Sequence, residues 1–194
     1  MKTLLICGSR NPNGQTSRSA YAVLVGVTKA GGAVERVFLP TLHIERCRQC
    51  GDGGWGMCMQ EGRCVIEDDF AGLVAQIGAA DAVVFATPVY YSDLSESLRA
   101  FTDRLRRIGT HKAGRSSAEA KPAIGLCVAG GGGGGAAACC VSLEKVLGNC
   151  GFDVVDMIPV RRQNLEVKLP LLERTGQWLA GLPEANRRGK REGP

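Results

Sequence analysis

Four cysteines close together in the sequence are the residues with the clearest capacity for chemistry. Cys47, Cys50, Cys58 and Cys64 are separated by two, seven and five residues. Closely spaced cysteine thiolates bind iron–sulfur clusters, and Cys-x2-Cys followed by two further cysteines also suits tetrahedral zinc. The segment is polar and rich in glycine, so a metal centre would explain what orders it. Three interpretations stay open: a [4Fe–4S] cluster, a structural zinc ion, or thiols or a disulfide without metal.

The remaining cysteines indicate a different use. The chain has nine cysteines, an odd number, so complete disulfide pairing is impossible. Cys7, Cys127 and Cys150 stand in apolar surroundings, where cysteine behaves as a small core residue. The first residues, Met-Lys-Thr-Leu-Leu-Ile-Cys, form an apolar run too short for a signal peptide, and we expect a cytoplasmic protein in a reducing compartment.

Three loops in the first 135 residues have the composition of a cofactor site. The first, 8–17, brings hydroxyls and amides to the start of a predicted helix, where free N–H groups suit a single phosphate. It lacks both the P-loop and the Gly-x-Gly-x-x-Gly pattern. The second, 87–92, reads Thr-Pro-Val-Tyr-Tyr-Ser and could hold a flat ring through backbone amides and aromatic contact. The third, 129–135, contains six consecutive glycines, which allow a ligand to approach the backbone closely.

The elements around these loops alternate between strand and helix. Apolar runs predict strands at 2–7, 34–39, 81–86, 122–129 and 152–160, and helical spacing predicts helices at 16–29, 68–79, 93–108, 136–150 and within 166–182. Thr16 or Ser17 is the expected cap of the first helix, and Pro170 is expected to break or delay the last one. Alternating elements indicate an α/β fold with a parallel sheet, whose ligands bind at the carboxyl ends of the strands.

Composition narrows the classes of function. A chain of 194 residues with 44% apolar residues is long enough for one domain with a substantial core. No apolar run is long enough to span a membrane. The net charge of +5 is concentrated in the last eight residues, and aromatic residues make up only 5%, so nucleic-acid binding is not expected. We predict a domain over 1–183 and a disordered basic tail over 184–194. The two histidines, His43 and His111, are expected at the surface.

The loops resemble those of a known family. Gly-Ser-Arg-x-x-x-Gly-x-Thr after the first strand is similar to the phosphate loop of NADPH-dependent FMN reductases with the flavodoxin-like fold. Thr-Pro-Val-Tyr-Tyr-Ser, followed by the helix with Leu-Arg-Ala-Phe-Thr-Asp-Arg at 98–104, is similar to that family's flavin-ring loop. The cysteine segment resembles the iron–sulfur flavoprotein branch. The resemblance covers about residues 2–160.

This resemblance implies a fold and a set of site residues. The fold would be a doubly wound, five-stranded parallel sheet in the order 2-1-3-4-5, with the cysteine-rich insert after strand 2. One set of residues would hold the FMN phosphate, and these are Ser9, Arg10, Gln15, Thr16 and Ser17. A second set would line the flavin ring, and these are Pro88, Val89, Tyr90, Tyr91, Ser92, Gly130, Gly131, Gly132 and Gly133. Cys47, Cys50, Cys58 and Cys64 would be the metal ligands.

Two functions follow as expectations. The first is an FMN-dependent NAD(P)H oxidoreductase that reduces a small acceptor such as a quinone or a flavin. The second is an iron–sulfur flavoprotein that relays single electrons from a ferredoxin-like donor to a protein acceptor. In either case the cofactor carries the chemistry, and no catalytic acid or base stands out. The resemblance also implies a homodimer or homotetramer.

Overall fold

A computed structural model describes residues 1–110 and 117–182. Five strands form one parallel sheet: β1 (Lys2–Cys7), β2 (Ala33–Phe38), β3 (Ala82–Pro88), β4 (Pro122–Ala129) and β5 (Asp153–Arg161). Their order is β2-β1-β3-β4-β5, which confirms the predicted flavodoxin-like arrangement. The strand order reverses between β1 and β3, and folds of this kind form a crevice for ligands at that point.

In the part of the chain that the structure describes, six α-helices connect the strands or follow them. They are α1 (Gln15–Lys29), α2 (Met57–Gln60), α3 (Phe70–Ala79), α4 (Glu96–Gly109), α5 (Ala136–Cys150) and α6 (Leu165–Ala180). Within the described residues, none of these helices combines the length and the apolar character needed to cross a membrane.

The sheet has an apolar core on each face because side chains along a strand alternate between the two faces. Leu4 and Ile6 of β1 contribute to one core, which α3, α4 and α5 cover. Leu5 and Cys7 contribute to the other, which α1 and α6 cover. This alternation explains why the central strands are apolar at every position.

Many local predictions are confirmed. The bounds of β1, β4 and α5 are those predicted, and the apolar residues Leu98, Phe101 and Leu105 of α4 are buried. Cys7, Cys127 and Cys150 have no exposed surface, as expected of core residues. His43 is exposed, whereas His111 and the predicted tail at 184–194 lie outside the described residues.

The starts of α1 and α4 differ from the prediction. The N-cap of α1 is Gly14, not Thr16 or Ser17, and no side chain caps the helix. The Ser17 hydroxyl instead donates a hydrogen bond to the Asn11 carbonyl at 2.6 Å, inside the first loop. The helix predicted from Asp93 begins only at Glu96, because a tight turn occupies the residues before it and Ser95 provides the N-cap.

The last helix lies where it was predicted, but the predicted break or delay at Pro170 is wrong, because α6 continues through this residue. Proline removes the bond to the carbonyl four residues earlier and costs about 3 kcal/mol in a helix interior. Tertiary packing outweighs this cost. Leu172, Gly176 and Leu179 of α6 are buried against α1 and the sheet.

Candidate functional site

The first loop presents a helix N-terminus with unused donors. The N–H groups of the first helical turn have no partner within the helix, and α1 has no side-chain cap. The loop is preformed, because the Asn11 carbonyl accepts bonds from the Gly14 N–H at 3.2 Å and the Ser17 hydroxyl at 2.6 Å. Ser9 is buried and Arg10 is exposed beside it. This arrangement of free N–H groups, hydroxyls and a cation suits a phosphate.

The predicted residues of this loop have different environments. Thr16 and Ser17 are almost fully buried in the first turn of α1. The Gln15 amide oxygen is buried and has no hydrogen-bond partner among the described residues. A buried polar atom without a partner is uncommon in a native protein, and a bound ligand or water is its usual explanation.

The second loop contains a strained turn. The Tyr90 N–H donates to the Asp93 carbonyl at 3.0 Å and the Asp93 N–H donates to the Tyr90 carbonyl at 2.9 Å. Tyr91 and Ser92 between them have φ angles of 50° and 65°. Two successive left-handed residues define a type I′ turn, which normally requires glycine or asparagine. The turn leaves the Tyr91 ring fully exposed. Non-glycine residues held in this conformation occur preferentially at functional sites.

An ion pair follows this turn at the start of α4. Asp93 accepts two hydrogen bonds from Arg99 at 2.5 and 2.6 Å. Burial acts to raise the pKa of Asp93, but the Leu94 N–H and Arg99 hold that pKa below its usual value. The carboxylate therefore stays charged and helps to fix the turn on α4.

The third loop keeps open space beside its backbone. A Cβ built at Gly130, Gly131 or Gly132 would have no atom within 4 Å. Gly133 and Gly135 are in the left-handed region, with φ angles of 76° and 79°. The loop is held in place by Gln163, which donates a hydrogen bond to the Gly132 carbonyl at 3.1 Å. The glycines therefore form a fixed backbone surface that a flat ligand can approach.

The structure brings the three loops together at one edge of the sheet. The Ser97 hydroxyl at the start of α4 donates to the Gly8 carbonyl at 3.2 Å, which joins the first loop to the helix that follows the second. A Cβ on Gly135 would lie 2.7 Å from the Ser92 Cα, so the second and third loops touch through their backbones. The Val89 N–H also donates to the Val128 carbonyl at 3.0 Å. The predicted flavin residues thus lie at one edge of the sheet.

The four cysteines of the segment after β2 line a single cavity. Cys47, Cys50, Cys58 and Cys64 surround a cavity of about 20 Å³ together with Arg104 and Arg107 of α4. All four are free thiols of intermediate exposure. Within the described ranges, no three histidine, cysteine, aspartate or glutamate side chains converge closely enough for one metal ion. The cysteines therefore face a shared space without meeting at one point.

A buried ion pair lies at the base of this segment. Arg104 and Asp68 form a two-pronged pair at 2.6 and 3.0 Å, and their side chains are 1% and 0% exposed. Burial acts to raise the pKa of Asp68, but Arg104 and the N–H groups of Glu45 and Phe70 hold that pKa below its usual value. Burial acts to lower the pKa of Arg104, but Asp68 and Cys64 raise it. Both partners are therefore charged.

Sequence reasoning missed the residues that support the site. Gln163 and Ser97 hold the loops through backbone carbonyls, a role that has no sequence signature. Arg104 did carry a signal, because it stands three residues after Phe101 and four before Ile108 and so lies on the buried stripe of α4. A charged residue at such a position is rarely buried without a partner.

Comparison with known proteins gives a family and a fold. A family model described as NADPH-dependent FMN reductase matches residues 1–165. An iron–sulfur flavoprotein of Archaeoglobus fulgidus is 33% identical over 109 residues, which cover 56% of this chain and 47% of that protein. An iron–sulfur flavoprotein of Methanocaldococcus jannaschii is 32% identical over 111 residues, covering 56% and 55%. The chain thus spans about half the length of the curated relatives it matches.

A solved structure confirms the fold at lower sequence identity. The NAD(P)H:quinone oxidoreductase of Methanothermobacter marburgensis superimposes with a TM-score of 0.70 at 20% identity, covering 94% of this chain and 98% of that one. At this identity the likeness establishes the fold alone. The family match is the stronger finding because it spans all three loops, and the chain belongs to the NADPH-dependent FMN reductase family.

Proposed function

We propose that this protein is an FMN-dependent oxidoreductase that takes electrons from NAD(P)H and passes them to a small acceptor such as a quinone or a flavin. The observation that carries the proposal is the meeting of the three loops at the carboxyl edge of the sheet. The family match supports FMN as the cofactor. When bound, FMN would supply hydride transfer from the nicotinamide and electron transfer, singly or in pairs, to the acceptor.

The residues present fit this cofactor. The uncapped N-terminus of α1, with Ser9, Arg10 and the first-turn residues Gln15, Thr16 and Ser17, would hold the phosphate. The lack of a dinucleotide pattern and the presence of a single phosphate-binding loop favour FMN over FAD.

The ring would lie between the second and third loops. The backbone of Pro88 to Ser92 would line one edge of it, and the bare backbone of Gly130 to Gly133 would line another. The open space beside Gly130, Gly131 and Gly132 is what such an approach needs. Tyr91, fully exposed at the tip of its turn, is placed to contact an acceptor that covers the ring.

Two measurements test the proposal. Mass spectrometry of the cofactor released from the purified protein should give FMN at close to one per chain, and FAD or no flavin would contradict the assignment. NADPH or NADH added without oxygen should bleach the flavin absorbance, and adding a quinone should restore it. A flavin that neither nicotinamide reduces would exclude the reductase and leave the electron carrier.

The cysteine cavity supports a second candidate function. In this alternative, Cys47, Cys50, Cys58 and Cys64 ligate a [4Fe–4S] cluster, and the protein relays single electrons between a ferredoxin-like donor and a partner. Thiolates around one zinc ion lie about 2.3 Å from it and so converge on a point. Cluster thiolates attach to separate irons and stand further apart, which agrees better with four cysteines that share a cavity without converging.

Anaerobic expression followed by iron and sulfide analysis tests the cluster. Four iron and four sulfide per chain are expected by the stoichiometry of the cluster. Both should disappear in Cys50→Ser and remain in Cys140→Ser, which changes a thiol outside the segment. One zinc without sulfide would make the site structural, and the absence of metal would leave the reductase alone.

We further propose that the protein acts as a homodimer or homotetramer in the cytoplasm. Light scattering at micromolar concentration measures the assembly directly. A particle of 20.5 kDa would be the monomer and would contradict this expectation.

A further inference from the structure

The two ends of the cysteine segment are held together by one carboxylate and one guanidinium. Asp68 Oδ2 accepts the Glu45 N–H at 2.8 Å. Arg104 donates to the Glu45 carbonyl at 3.1 Å and to the Ile66 carbonyl at 3.4 Å. Glu45 stands two residues before Cys47, and Ile66 stands two residues after Cys64. The Asp68–Arg104 pair therefore closes the base of the loop that carries all four cysteines.

One donor of Arg104 remains unused. Its Nε is buried and has no hydrogen-bond partner among the residues that the structure describes. The same side chain lines the cysteine cavity and lies within hydrogen-bonding reach of Cys64. Leaving a buried donor unpaired costs about 1–3 kcal/mol, and more when the group is charged. A donor in this position therefore calls for an acceptor in the cavity.

The guanidinium is also fixed in orientation. It lies over the Phe70 ring, with 4.2 Å from its Cζ to the ring centroid. Together with the two bonds to Asp68, this contact leaves the side chain little freedom to turn away from the cavity. Arg104 is thus a rigid positive group beside the thiols. It is placed there by α4, the helix that follows the second loop.

We propose that Arg104 is the positioning residue of the cysteine segment: with Asp68 it preforms the loop, and through Nε it donates a hydrogen bond to the Cys64 sulfur when that sulfur ligates the cluster. This inference rests on the proposed cluster. Hydrogen bonds to the sulfurs and positive charge nearby set the reduction potential of such clusters, and both act to raise it. Removing Arg104 therefore lowers the cluster's potential as well as its occupancy.

Arg106 provides a matched control on the same helix. Its side chain is exposed, donates to Asp103 Oδ1 at 3.2 Å and does not line the cysteine cavity. Lysine at this position keeps the charge at the surface, so Arg106→Lys should bind the cluster as the unchanged chain does.

The test compares the unchanged chain with R106K, R104K and the double variant R104Q/D68N. The double variant leaves no unpaired buried charge, so it can fold even where a single variant fails. Melting of the metal-free proteins reports folding. Iron and sulfide content, and a redox titration followed by electron paramagnetic resonance, report the cluster.

We expect R104K and the double variant to lose cluster affinity by about 10-fold or more, the usual effect of removing a group that supports metal ligands. The cluster that remains in R104K should titrate at a lower potential, whereas R106K should match the unchanged chain. A folded double variant with full cluster content, or R104K with an unchanged potential, would overturn the role of Arg104. An unchanged chain without cluster would overturn the cluster proposal and, with it, this inference.

Discussion

Gly135→Ala tests whether the second and third loops must touch for the flavin to bind. Gly135 is the N-cap of α5 and has a φ of 79°. A Cβ at this position would lie 2.5 Å from the Ser92 Oγ, 2.7 Å from its Cα and 2.9 Å from its Cβ. The hydroxyl could rotate away, but the Cα could not, because Ser92 is itself held at a φ of 65° in its turn.

The cost has two parts. Placing alanine in the left-handed region costs roughly 1–2 kcal/mol. Forcing an additional carbon into a packed contact costs about 1–3 kcal/mol. The sum is about 2–5 kcal/mol. If the loops stay in contact, this cost lowers the free energy of unfolding. A loss of about 2 kcal/mol, the lower end of the range, corresponds to a fall of about 4–8 °C in Tm for a domain of this size. If the loops separate, a loss of about 2 kcal/mol in binding free energy weakens FMN binding roughly 30-fold.

The assay measures both quantities on the same protein. Quenching of FMN fluorescence gives the Kd, and melting of the flavin-free protein gives the Tm. Gly134→Ala is the control, since a Cβ there meets no atom within 4 Å, and its effect should stay within about 0.5 kcal/mol. If Gly135→Ala left both the Kd and the Tm of the original protein unchanged, the contact between these loops would not matter for the flavin.

Three further predictions concern other parts of the molecule. Gly26→Ala should destabilise the fold by about 2 kcal/mol, because the added Cβ would lie 1.9 Å from a carbonyl oxygen of α6. Gly72→Ala has open space around the added Cβ and should stabilise the fold by up to about 1 kcal/mol. Urea denaturation measures both free energies of unfolding, and equal effects would contradict the packing argument. Arg10→Glu should weaken FMN binding at least about 10-fold without lowering the Tm, because it reverses an exposed charge beside the phosphate loop; an unchanged Kd would show that Arg10 does not face the phosphate. Burial raises the pKa of Cys150 to about 12, so this thiol should resist iodoacetamide at pH 8 in the folded protein and react with it in urea. Peptide mapping of the labelled cysteines measures this, and rapid labelling of Cys150 without urea would contradict its burial.

Much of the fold could be predicted from the sequence because the signals are local. The run from Pro122 to Ala129 is apolar throughout and is bounded by a proline and by glycines, so both the strand and its ends are marked. The glycines after it mark the loop, and the helix that follows begins at Ala136 as predicted. Alternation of strands and helices then restricts the topology, since parallel strands need right-handed crossovers.

Local signals failed where packing or a turn outweighed them. Pro170 predicted a broken helix, but α6 packs so closely on α1 that Gly26 and Gly176 bring the two backbones into contact. Asp93 predicted a helix start, but the bonds between Tyr90 and Asp93 make a turn there instead. In both places a specific contact, and not the helix propensity of the residues, determines the local structure.

The sequence by itself determined which residues could do chemistry: the cysteines at their spacing, the hydroxyls around the start of α1 and the glycines before α5. Only the tertiary structure decided how they are arranged. Arg104 meets Asp68 across 36 positions of the chain and Glu45 across 59, so nothing in the spacing of the cysteines indicates what closes their loop. The contact of Ser92 with Gly135 is equally remote in sequence. The physical reason is that composition and periodicity report local conformation, whereas a site is built by contacts that form only when the sheet aligns the ends of its strands.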